Sequence, residues 1–477
     1  MYKFRLYQIL IPLGFILAVV SCKAPAAAVS EANSPVPESY ETNKDTTNMS
    51  AIQWRNFFKD PNLVELIDTA LKNNLELMIT LQDIEIAKND IRVRKGALLP
   101  TVGIKAGAGV EKVGRYTSQG AGDASTQIAP GLETPDPLMD YTLAAYANWE
   151  VDIWKKLRNS KKAAISRYLS TIEGKNFVMT DLVAEVADSY YELLSLDSQL
   201  EIVRQNIGLQ NNALEIVKVQ KEAARTTELA VQKFNAEVAA SKSLEFDILQ
   251  KIKETENRIN FLLGRYPQEI KRDKTNFLTL LPAAVNSGIP SQLLENRPDI
   301  KQAELELAAA KLDVKAARAE FYPSLDISAA IGLQAFKSSY FFEFPESVLY
   351  SLAGDIAAPL INRNAIKAEF KSANARQIQA MVNYQRTILS AYLEVSNQLS
   401  KIGNIEKSYA LKSQQVDALN RSIDVSNDLF KSARADYFEV LMTQRDALES
   451  KLELIETKKE QLNAAVHVYR DLGGGWK

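Results

Sequence analysis

The residue with the most specific chemistry in this sequence is Cys22, the single cysteine among 477 residues. A thiol can form a disulfide, hold a metal, act as a nucleophile or carry an acyl group, and the first three roles need partner side chains. A lone cysteine has no partner for an internal disulfide, and the sequence around Cys22 offers no histidine or acidic neighbour for zinc or nucleophilic chemistry. Acylation needs only a suitable leader sequence.

The residues before Cys22 have the layout of such a leader. Lys3 and Arg5 precede a mostly apolar run from Ile9 to Val20, which ends at the small Ser21. The run is shorter than the ~20 apolar residues that span a bilayer. Val19–Cys22 also resembles a bacterial lipobox with valine in place of the usual leucine. We predict a lipoprotein signal peptide over 1–21 and an acylated Cys22; the alternative is a plain signal peptide followed by an incidental cysteine.

Composition bounds the rest of the chain. Residues 22–50 are rich in Ala, Ser, Pro, Glu, Thr and Asn and are predicted to form a flexible tether. The net charge of -2 and the 46% apolar content exclude a disordered chain or a nucleic-acid-binding polyelectrolyte. The single histidine, His467, lies in a helical pattern and is interpreted as structural. With no phosphate-binding loop and no His-Glu-x-x-His, the sequence predicts no enzyme, metal site or cofactor.

Proline placement indicates very long helices. The 16 prolines are absent between Pro137 and Pro267 and after Pro359. Within these windows apolar residues follow three-and-four or seven-residue spacing, as at Leu441 and Leu448, which is typical of coiled-coil seams. A helix from about Lys155 to Lys221 is ~100 Å long. The fold is therefore expected to be elongated.

The two windows are copies of each other. Glu185-Val186 corresponds to Glu394-Val395, and Leu263-Gly264 to Leu472-Gly473, at an offset of 209 residues, while the segment at Leu99 corresponds to Tyr322 at an offset of 223. The chain is thus a tandem duplication of large units. We place the first repeat at 51–285, with strands at about 100–112 and 140–151 and long helices within about 155–264. The second is placed at 286–477, with strands at about 322–335 and 348–360 and long helices within about 364–472.

Each repeat has two stretches in which apolar and polar or small residues alternate. Val102, Ile104 and Ala106 alternate with Gly103 and Lys105, and the other three stretches behave alike. Segments of ~10 such residues are typical of transmembrane β-barrel strands, although a half-buried soluble sheet gives the same pattern. The Gly- and Ser-rich loop after the first stretch and the aromatic loop at Tyr340–Phe344 favour the barrel.

Four strands cannot close a barrel, and open edges in lipid cost several kcal/mol for each unpaired backbone group. Other copies of the chain are needed to complete it. Two copies give 8 strands with a filled interior and three give 12 with room for a lumen, and polar inward faces favour three.

At this point the sequence resembles a known family, the TolC/OprM-like outer-membrane efflux channels, in their lipoprotein (NodT-type) branch. The resemblance covers nearly the whole mature length. The residues that carry it are Trp54, Phe58, Asp60-Pro61, Trp149-Glu150-Val151-Asp152, Leu262-Leu263-Gly264, Gly288-Ile289-Pro290-Ser291, Arg297-Pro298-Asp299-Ile300, Ala316-Ala317-Arg318-Ala319 and Phe321-Tyr322-Pro323-Ser324. Of these, Trp149, Asp152, Arg297, Pro298, Asp299 and Pro323 are interpreted as structural.

The resemblance implies a mainly α chain with a transmembrane β-barrel portion. Three copies would form a 12-stranded barrel in the outer membrane and a periplasmic α-barrel of twelve helices. It also implies a passive exit duct for small molecules or drugs, joined by a periplasmic adaptor to an inner-membrane transporter of the RND type. The protein would be a trimeric, lipid-anchored outer-membrane lipoprotein, with palmitate among its acyl groups, extending into the periplasm.

The gate of such a duct is expected where the paired helices turn, near Glu222–Thr227 and Lys431–Tyr437. If Asp436 and Glu439 point inward, three copies give negative rings that select cations or control opening. Alternatively, Asp436 caps the returning helix. Arg225 with Thr226 and Arg434 with Ala435 are candidate contacts for the adaptor, and the two arginines could equally tie neighbouring helices together or stay solvated. Alanines stand where related channels often have glycine in these turns, which leaves the turn geometry open.

Two other readings compete. A lipid-anchored periplasmic coiled-coil scaffold explains the helices and Cys22 but leaves the four alternating stretches and the Arg297 block unexplained. The same channel fold could instead serve protein secretion or metal-ion export. The seven methionines form no evident cluster, which weakly disfavours a dedicated copper path.

Overall fold

The computed structural model describes residues 37–40, 47–129, 131–274, 277–283, 286–359, 363–432 and 434–476. The helices in these ranges are α1 (Trp54–Phe57), α2 (Pro61–Asn73), α3 (Leu75–Gly96), α4 (Ser118–Ser125), α5 (Lys156–Glu222), α6 (Glu228–Leu262), α7 (Leu293–Asn296), α8 (Pro298–Ala319), α9 (Asn364–Lys431) and α10 (Tyr437–Asp471). The strands are β1 (Thr101–Glu111), β2 (Gln127–Ala129), β3 (Leu132–Glu133), β4 (Leu138–Glu150), β5 (Ser324–Ala335) and β6 (Val348–Ala357). Cys22 and the predicted signal peptide lie outside the described residues.

Four strands form one antiparallel sheet in the order β1-β4-β5-β6. The register places Ile104, Ala145, Ile331 and Tyr350 in one row across all four strands. The side chains of Ile104 and Tyr350 are 78% and 82% exposed in the single chain. Because neighbouring side chains of a strand point to opposite faces, the apolar positions predicted for each strand share one face. The sheet therefore has one apolar and one polar side.

The strand ends differ by a few residues from the expected ones. β4 begins at Leu138, before the expected position 140, and β5 begins at Ser324, after the expected position 322. The later start of β5 has a local cause, since the Tyr322 amide donates to the carbonyl of Ala319 and so belongs to the turn that follows α8. β6 ends at Ala357, and position 360 lies outside the described residues.

The proline-free windows contain two helix pairs of nearly equal length. α5 and α6 have 67 and 35 residues, and α9 and α10 have 68 and 35. The matching lengths follow from the tandem duplication seen in the sequence. α6 ends just before Gly264 and α10 just before Gly473, whose φ angles are +63° and +87°. At Gly264 an added Cβ would stand 2.2 Å from the carbonyl oxygen of Asn73, so a side chain is excluded there by contact as well as by conformation.

Two compact units are formed, and each draws on both repeats. One contains Glu85–Leu169 and Leu305–Met381, which include the four-stranded sheet. The other contains 37–84, 170–304 and 382–476 as far as these residues are described. The repeat boundary between residues 285 and 286 stays a prediction from the sequence.

The second unit holds the largest apolar core, in which the long helices pack together. Tyr190, Leu193, Val203, Ile259 and Ile455 are fully buried there. None of the helices in the described ranges is both long enough and apolar enough to cross a membrane.

Part of the segment expected to be a flexible tether is packed against this core. Tyr40 and Met49 are 2% and 1% exposed, and Tyr40 stacks on Tyr392 with ring centroids 5.5 Å apart. The amide of Met49 donates to the carbonyl of Asn286. At these two residues the tether prediction is wrong, because a large apolar or aromatic side chain in a polar segment gains free energy by burial.

Candidate functional site

The polar side of the sheet carries three carboxylates in one row. Glu150 lies opposite Asp326, which lies opposite Asp355. Like charges placed directly opposite in a sheet are destabilising. Lys156, in the first turn of α5, forms an ion pair with Glu150 and offsets part of this repulsion. The row is an acidic band at the end of the sheet from which α5 leaves.

Asp152 anchors the start of α5. Its side chain is 5% exposed, and its two carboxylate oxygens accept hydrogen bonds of 3.0 Å from the amides of Leu157 and Arg158. These amides are among the unpaired donors of the first helical turn, so Asp152 caps the helix although it lies four residues before it. The motif residue Asp152 is thereby placed in a structural contact.

Two tryptophans near the end of β4 and the start of α5 donate hydrogen bonds from their indole N–H groups to backbone carbonyls. Trp149 Nε1 donates to Leu98 O at 3.1 Å, and Trp154 Nε1 donates to Pro323 O at 2.7 Å. Trp154 also stacks on Tyr322, with ring centroids 4.8 Å apart. Trp149 and Pro323, both predicted to be structural, thus lie where strands and helices join.

Arg297 is the centre of a buried ion cluster in the other unit. Its guanidinium donates to both carboxylate oxygens of Asp299 at 3.0 and 2.7 Å, to Glu394 at 2.7 Å and to the carbonyl of Asp471 at 3.0 Å. The Arg297 side chain is 7% exposed. Pro298 is the first residue of α8, where its missing N–H costs nothing. The cluster therefore ties the start of α8 to α9 and to the end of α10.

The charges in this cluster shift one another's pKa. Burial alone would lower the pKa of the Arg297 guanidinium, but the hydrogen bond and charge of Asp299, together with Glu394, raise it above its ordinary value. Burial alone would raise the pKa of Glu394, but the Arg297 charge holds it below its usual range. Burial raises the pKa of Asp471. Glu394 and Asp471 could not be predicted as partners of Arg297, since they lie 97 and 174 residues from it along the chain.

The turn between α5 and α6 is closed by backbone hydrogen bonds. The Ala224 amide donates to Lys221 O at 2.9 Å, and the Arg225 amide donates to Gln220 O at 2.8 Å. Ala224 has a φ of +53°, the left-handed conformation that usually falls to glycine at this position of a helix end. The alanine therefore does not alter the turn type. Lys221 and Glu228 form an ion pair across the turn.

The turn between α9 and α10 repeats one of these hydrogen bonds. The Arg434 amide donates to Leu429 O at 2.8 Å, which matches the Arg225 bond at the 209-residue offset. Asp436 occupies the N-cap position of α10, yet its side chain makes no capping hydrogen bond. Asp436 and Glu439, which lies in the first turn of the helix, are both exposed. The structure therefore shows no hydrogen bond by which Asp436 would cap α10, and its carboxylate is open to solvent in the single chain.

Both turns rest on one apolar cluster. Phe234 and Val440 are 0% and 1% exposed, and Phe430 and Tyr437 from the second helix pair pack with them. The full set of buried members is Ala213, Leu214, Val217, Ala230, Val231, Phe234, Val238, Phe430, Val440 and Leu441. The two helix pairs are thereby joined at their tips within one chain. The acidic candidates Asp436 and Glu439 directly precede the cluster residues Val440 and Leu441 in sequence.

The candidate adaptor contacts lie at the two turns. Arg225 and Arg434 are exposed, and Thr226 and Ala435 are half-buried. The duplication has placed the same pair of positions at each turn. Their role as adaptor contacts stays a prediction.

Replacing Ala224 by glycine is expected to stabilise the second unit by up to about 1 kcal/mol. An L-residue in the left-handed region costs ~1 kcal/mol or more, and glycine removes that cost at Ala224. The measurement is the unfolding temperature of the detergent-solubilised protein. The matched control is Ala223→Gly, one residue earlier, where the amide bonds to Val219 O as in a helix and glycine should destabilise. Equal shifts in both variants would contradict the strained turn.

The chain is similar to known proteins in sequence and in fold. The model of the outer membrane efflux protein family matches residues 66–265 and 289–474. The pyoverdine export outer membrane protein OpmQ of Pseudomonas aeruginosa is 27% identical over 425 residues, which cover 89% of this chain and 88% of that protein. The probable outer membrane lipoprotein SilC of Salmonella typhimurium is 26% identical over 483 residues, covering 99% of each. The crystal structure of the open state of the outer membrane channel MtrE of Neisseria gonorrhoeae superposes with a TM-score of 0.81 at 20% identity, covering 95% of this chain and 98% of that one.

Proposed function

The chain belongs to the outer membrane efflux protein family, and on this premise we propose that three copies form a passive exit duct through the outer membrane. The observation that carries the proposal is the four-stranded sheet with one apolar and one polar side. Lipid can cover the apolar side, and water can fill the space in front of the polar side. The family is a family of transport channels, and the duct itself carries out no chemistry.

The sheet explains why copies must associate. β1 and β6 are its edge strands, and each is paired on one side in the single chain. Edge amides and carbonyls cannot stay unpaired in hydrocarbon. Pairing β6 of each copy with β1 of the next closes a ring, and three copies supply 12 strands, enough to leave a lumen. The long helix pairs of three copies would continue the duct as a periplasmic α-barrel.

A passive duct has no energy source of its own, so we propose that it works with two further proteins as one export pump. A periplasmic adaptor is proposed to bind the helix turns at Arg225, Thr226, Arg434 and Ala435. An inner-membrane transporter of the RND type is proposed to drive export. An acylated Cys22 is proposed to hold the chain at the outer membrane until the barrel has inserted.

Small molecules are the proposed cargo. The acidic band of Glu150, Asp326 and Asp355 lies on the polar side of the sheet and favours cations and neutral molecules over anions. The narrow end of the duct is proposed to lie at the helix turns, with Asp436 and Glu439 of three copies around it.

The test is single-channel recording of the purified full-length protein in a planar bilayer, together with the temperature at which its heat-resistant oligomer disappears from a gel. Discrete, small, cation-selective current steps from a trimer are expected. A trimer that inserts without conducting calls for recording with the adaptor added, which should open it. A monomer that needs no detergent and never conducts would overturn the channel and favour the lipid-anchored scaffold.

A further inference from the structure

A set of basic residues surrounds the end of the sheet at which the helices attach. In the antiparallel sheet, β1 and β5 begin, and β4 and β6 finish, at the same end of the sheet. At that end of the sheet, α3 and α8 lead into strands, and α5 and α9 follow strands. The basic collar consists of Lys88, Arg92, Lys95, Lys155, Arg158, Lys162, Lys311, Lys315, Arg318, Arg363, Lys367 and Lys371. All twelve belong to the compact unit that contains the sheet.

The collar is built from stripes along the helices. Lys311, Lys315 and Arg318 are spaced four and three residues apart, which places them on one face of α8. Lys88, Arg92 and Lys95 repeat this spacing on α3, and Lys367 and Lys371 are four residues apart on α9. Each helix therefore presents a line of positive charge and not a scattered set.

The stripes recur in both repeats of the chain. Lys88, Arg92 and Lys95 correspond to Lys311, Lys315 and Arg318 at the offset of 223 residues. Arg158 and Lys162 correspond to Lys367 and Lys371 at the offset of 209 residues. At these offsets most other surface residues have changed type, so the positive charge is a property that both copies have kept.

The collar cations have few partners in the protein. Eleven of the twelve side chains are exposed, Arg363 being half-buried. Among the described residues, ion pairs within the collar are those of Lys88 with Glu85 and of Arg158 with Asp152. Three acids on the same helices pair with cations outside the collar: Asp90 with Arg94, Asp313 with Arg167, and Glu369 with Arg376.

The part of the collar nearest the sheet lies at the depth expected for a bilayer surface. Lys95, Lys155 and Arg318 are five or six residues from the nearest strand end. The exposed aromatic rings of Trp149 and Trp154 lie beside them, and indole rings favour the boundary between hydrocarbon and water. Lysine and arginine can reach this boundary with their long side chains.

From the repeated stripes, their largely unpaired charge and their place at the end of the sheet, we propose that the basic collar binds the phosphate-bearing headgroups of the bilayer on the helix side of the barrel. This inference rests on the proposed function, since it requires the sheet to be in a membrane. The collar fixes the depth of the barrel, because the headgroups neutralise charges that would otherwise repel one another.

The test compares the full-length protein with the variant Lys95→Gln, Lys315→Gln, Arg318→Gln and Lys367→Gln in mixed micelles titrated with phosphatidylglycerol or phosphatidylcholine. The unfolding temperature of the oligomer is the readout. Phosphatidylglycerol is expected to raise it more than phosphatidylcholine does. The variant should need at least tenfold more of the anionic lipid, since each basic side chain at an anionic surface contributes about a fivefold factor and the variant lacks four of them. High salt should remove the difference in the unsubstituted protein.

A matched variant controls for net charge. Lys242, Lys251, Lys401 and Lys407 are exposed lysines of the other unit, without an ion pair among the described residues, and their replacement by glutamine should leave the lipid response unchanged. Equal loss in both variants, or no preference for the anionic lipid, would overturn the proposal. So would a collar variant with an intact lipid response and altered ion selectivity, which would place the stripes in the lumen. Planar-bilayer conductance of the unsubstituted protein shows separately whether the duct itself holds.

Discussion

Replacing Arg297 by glutamine is expected to destabilise the folded protein by about 3–5 kcal/mol, which is roughly 5–10 °C in unfolding temperature. The reason is the cluster that Arg297 neutralises. The Arg297 guanidinium donates hydrogen bonds of 2.7–3.0 Å to the carboxylates of Asp299 and Glu394 and to the carbonyl of Asp471. Removing the guanidinium takes these donors away and leaves the two carboxylate charges without their cation. The measurement is thermal unfolding of the detergent-solubilised oligomer. The variant Arg297→Lys should recover only a part, because an ammonium cannot donate bidentately.

The control is an arginine with the same charge and an exposed partner. Arg258 pairs with Glu185 at 3.1 Å, with the two side chains 62% and 38% exposed. Exposed pairs contribute ~0–1 kcal/mol, so Arg258→Gln should change the unfolding temperature little. A comparable loss in both variants would show that net charge, and not the buried cluster, decides the stability.

The pH dependence of stability provides a second readout of the same cluster. The pKa of Glu394 is lowered in the folded protein, so its ionised form is stabilised by folding. This contribution is fully present above the unfolded pKa of about 4.3 and is lost as the pH falls through the lower folded value. In Arg297→Gln the charge that lowers the pKa is gone. The decline in stability between about pH 4.3 and lower pH should therefore become shallower in the variant.

The strands and long helices could be predicted because each has a repeating signal along the chain. Alternation placed Ile104 and Gly103 on opposite faces, and the absence of proline permitted the long helices. The duplication then predicted two equivalent helix turns. All of these signals are local or periodic, so they can be found without knowing which segments meet in space.

The features that escaped prediction depend on distant or unusual contacts. Glu394 belongs to α9 and carries no mark of its bond to Arg297, since an exposed helical glutamate looks the same in sequence. Ala224 adopts a left-handed conformation that alanine rarely takes, and only the surrounding hydrogen bonds impose it. Tyr40 lies in a segment of disorder-like composition, yet its ring finds Tyr392 more than 350 residues away. The row of Glu150, Asp326 and Asp355 could not be predicted, because its alignment depends on the register between strands.

Neutralising the turn carboxylates is expected to change conduction strongly while leaving the barrel intact. In Asp436→Ala with Glu439→Ala, three copies lose six negative charges near the proposed narrow end. The ratio of cation to anion permeability should fall several-fold, and the current steps should become larger, because rings of carboxylates both attract cations and restrict the opening. Planar-bilayer recording in salt gradients measures both quantities. The isosteric variant Asp436→Asn with Glu439→Gln separates charge from side-chain size.

The control for this variant removes the same number of charges elsewhere on the long helices. Glu406 and Asp417 are exposed on α9, at least 14 residues from the end of that helix at Lys431. Their replacement by alanine should leave selectivity and step size nearly unchanged, since exposed charges more than ~8–10 Å away are largely screened at physiological salt. If the turn variant and this control behave alike, the acidic gate is wrong although the duct stands. A third outcome is that the alanine variant changes only the step size and the isosteric variant conducts like the unsubstituted protein. The side chains of Asp436 and Glu439 would then obstruct the opening by their bulk. Cation selection would have to come from the row of Glu150, Asp326 and Asp355 on the sheet.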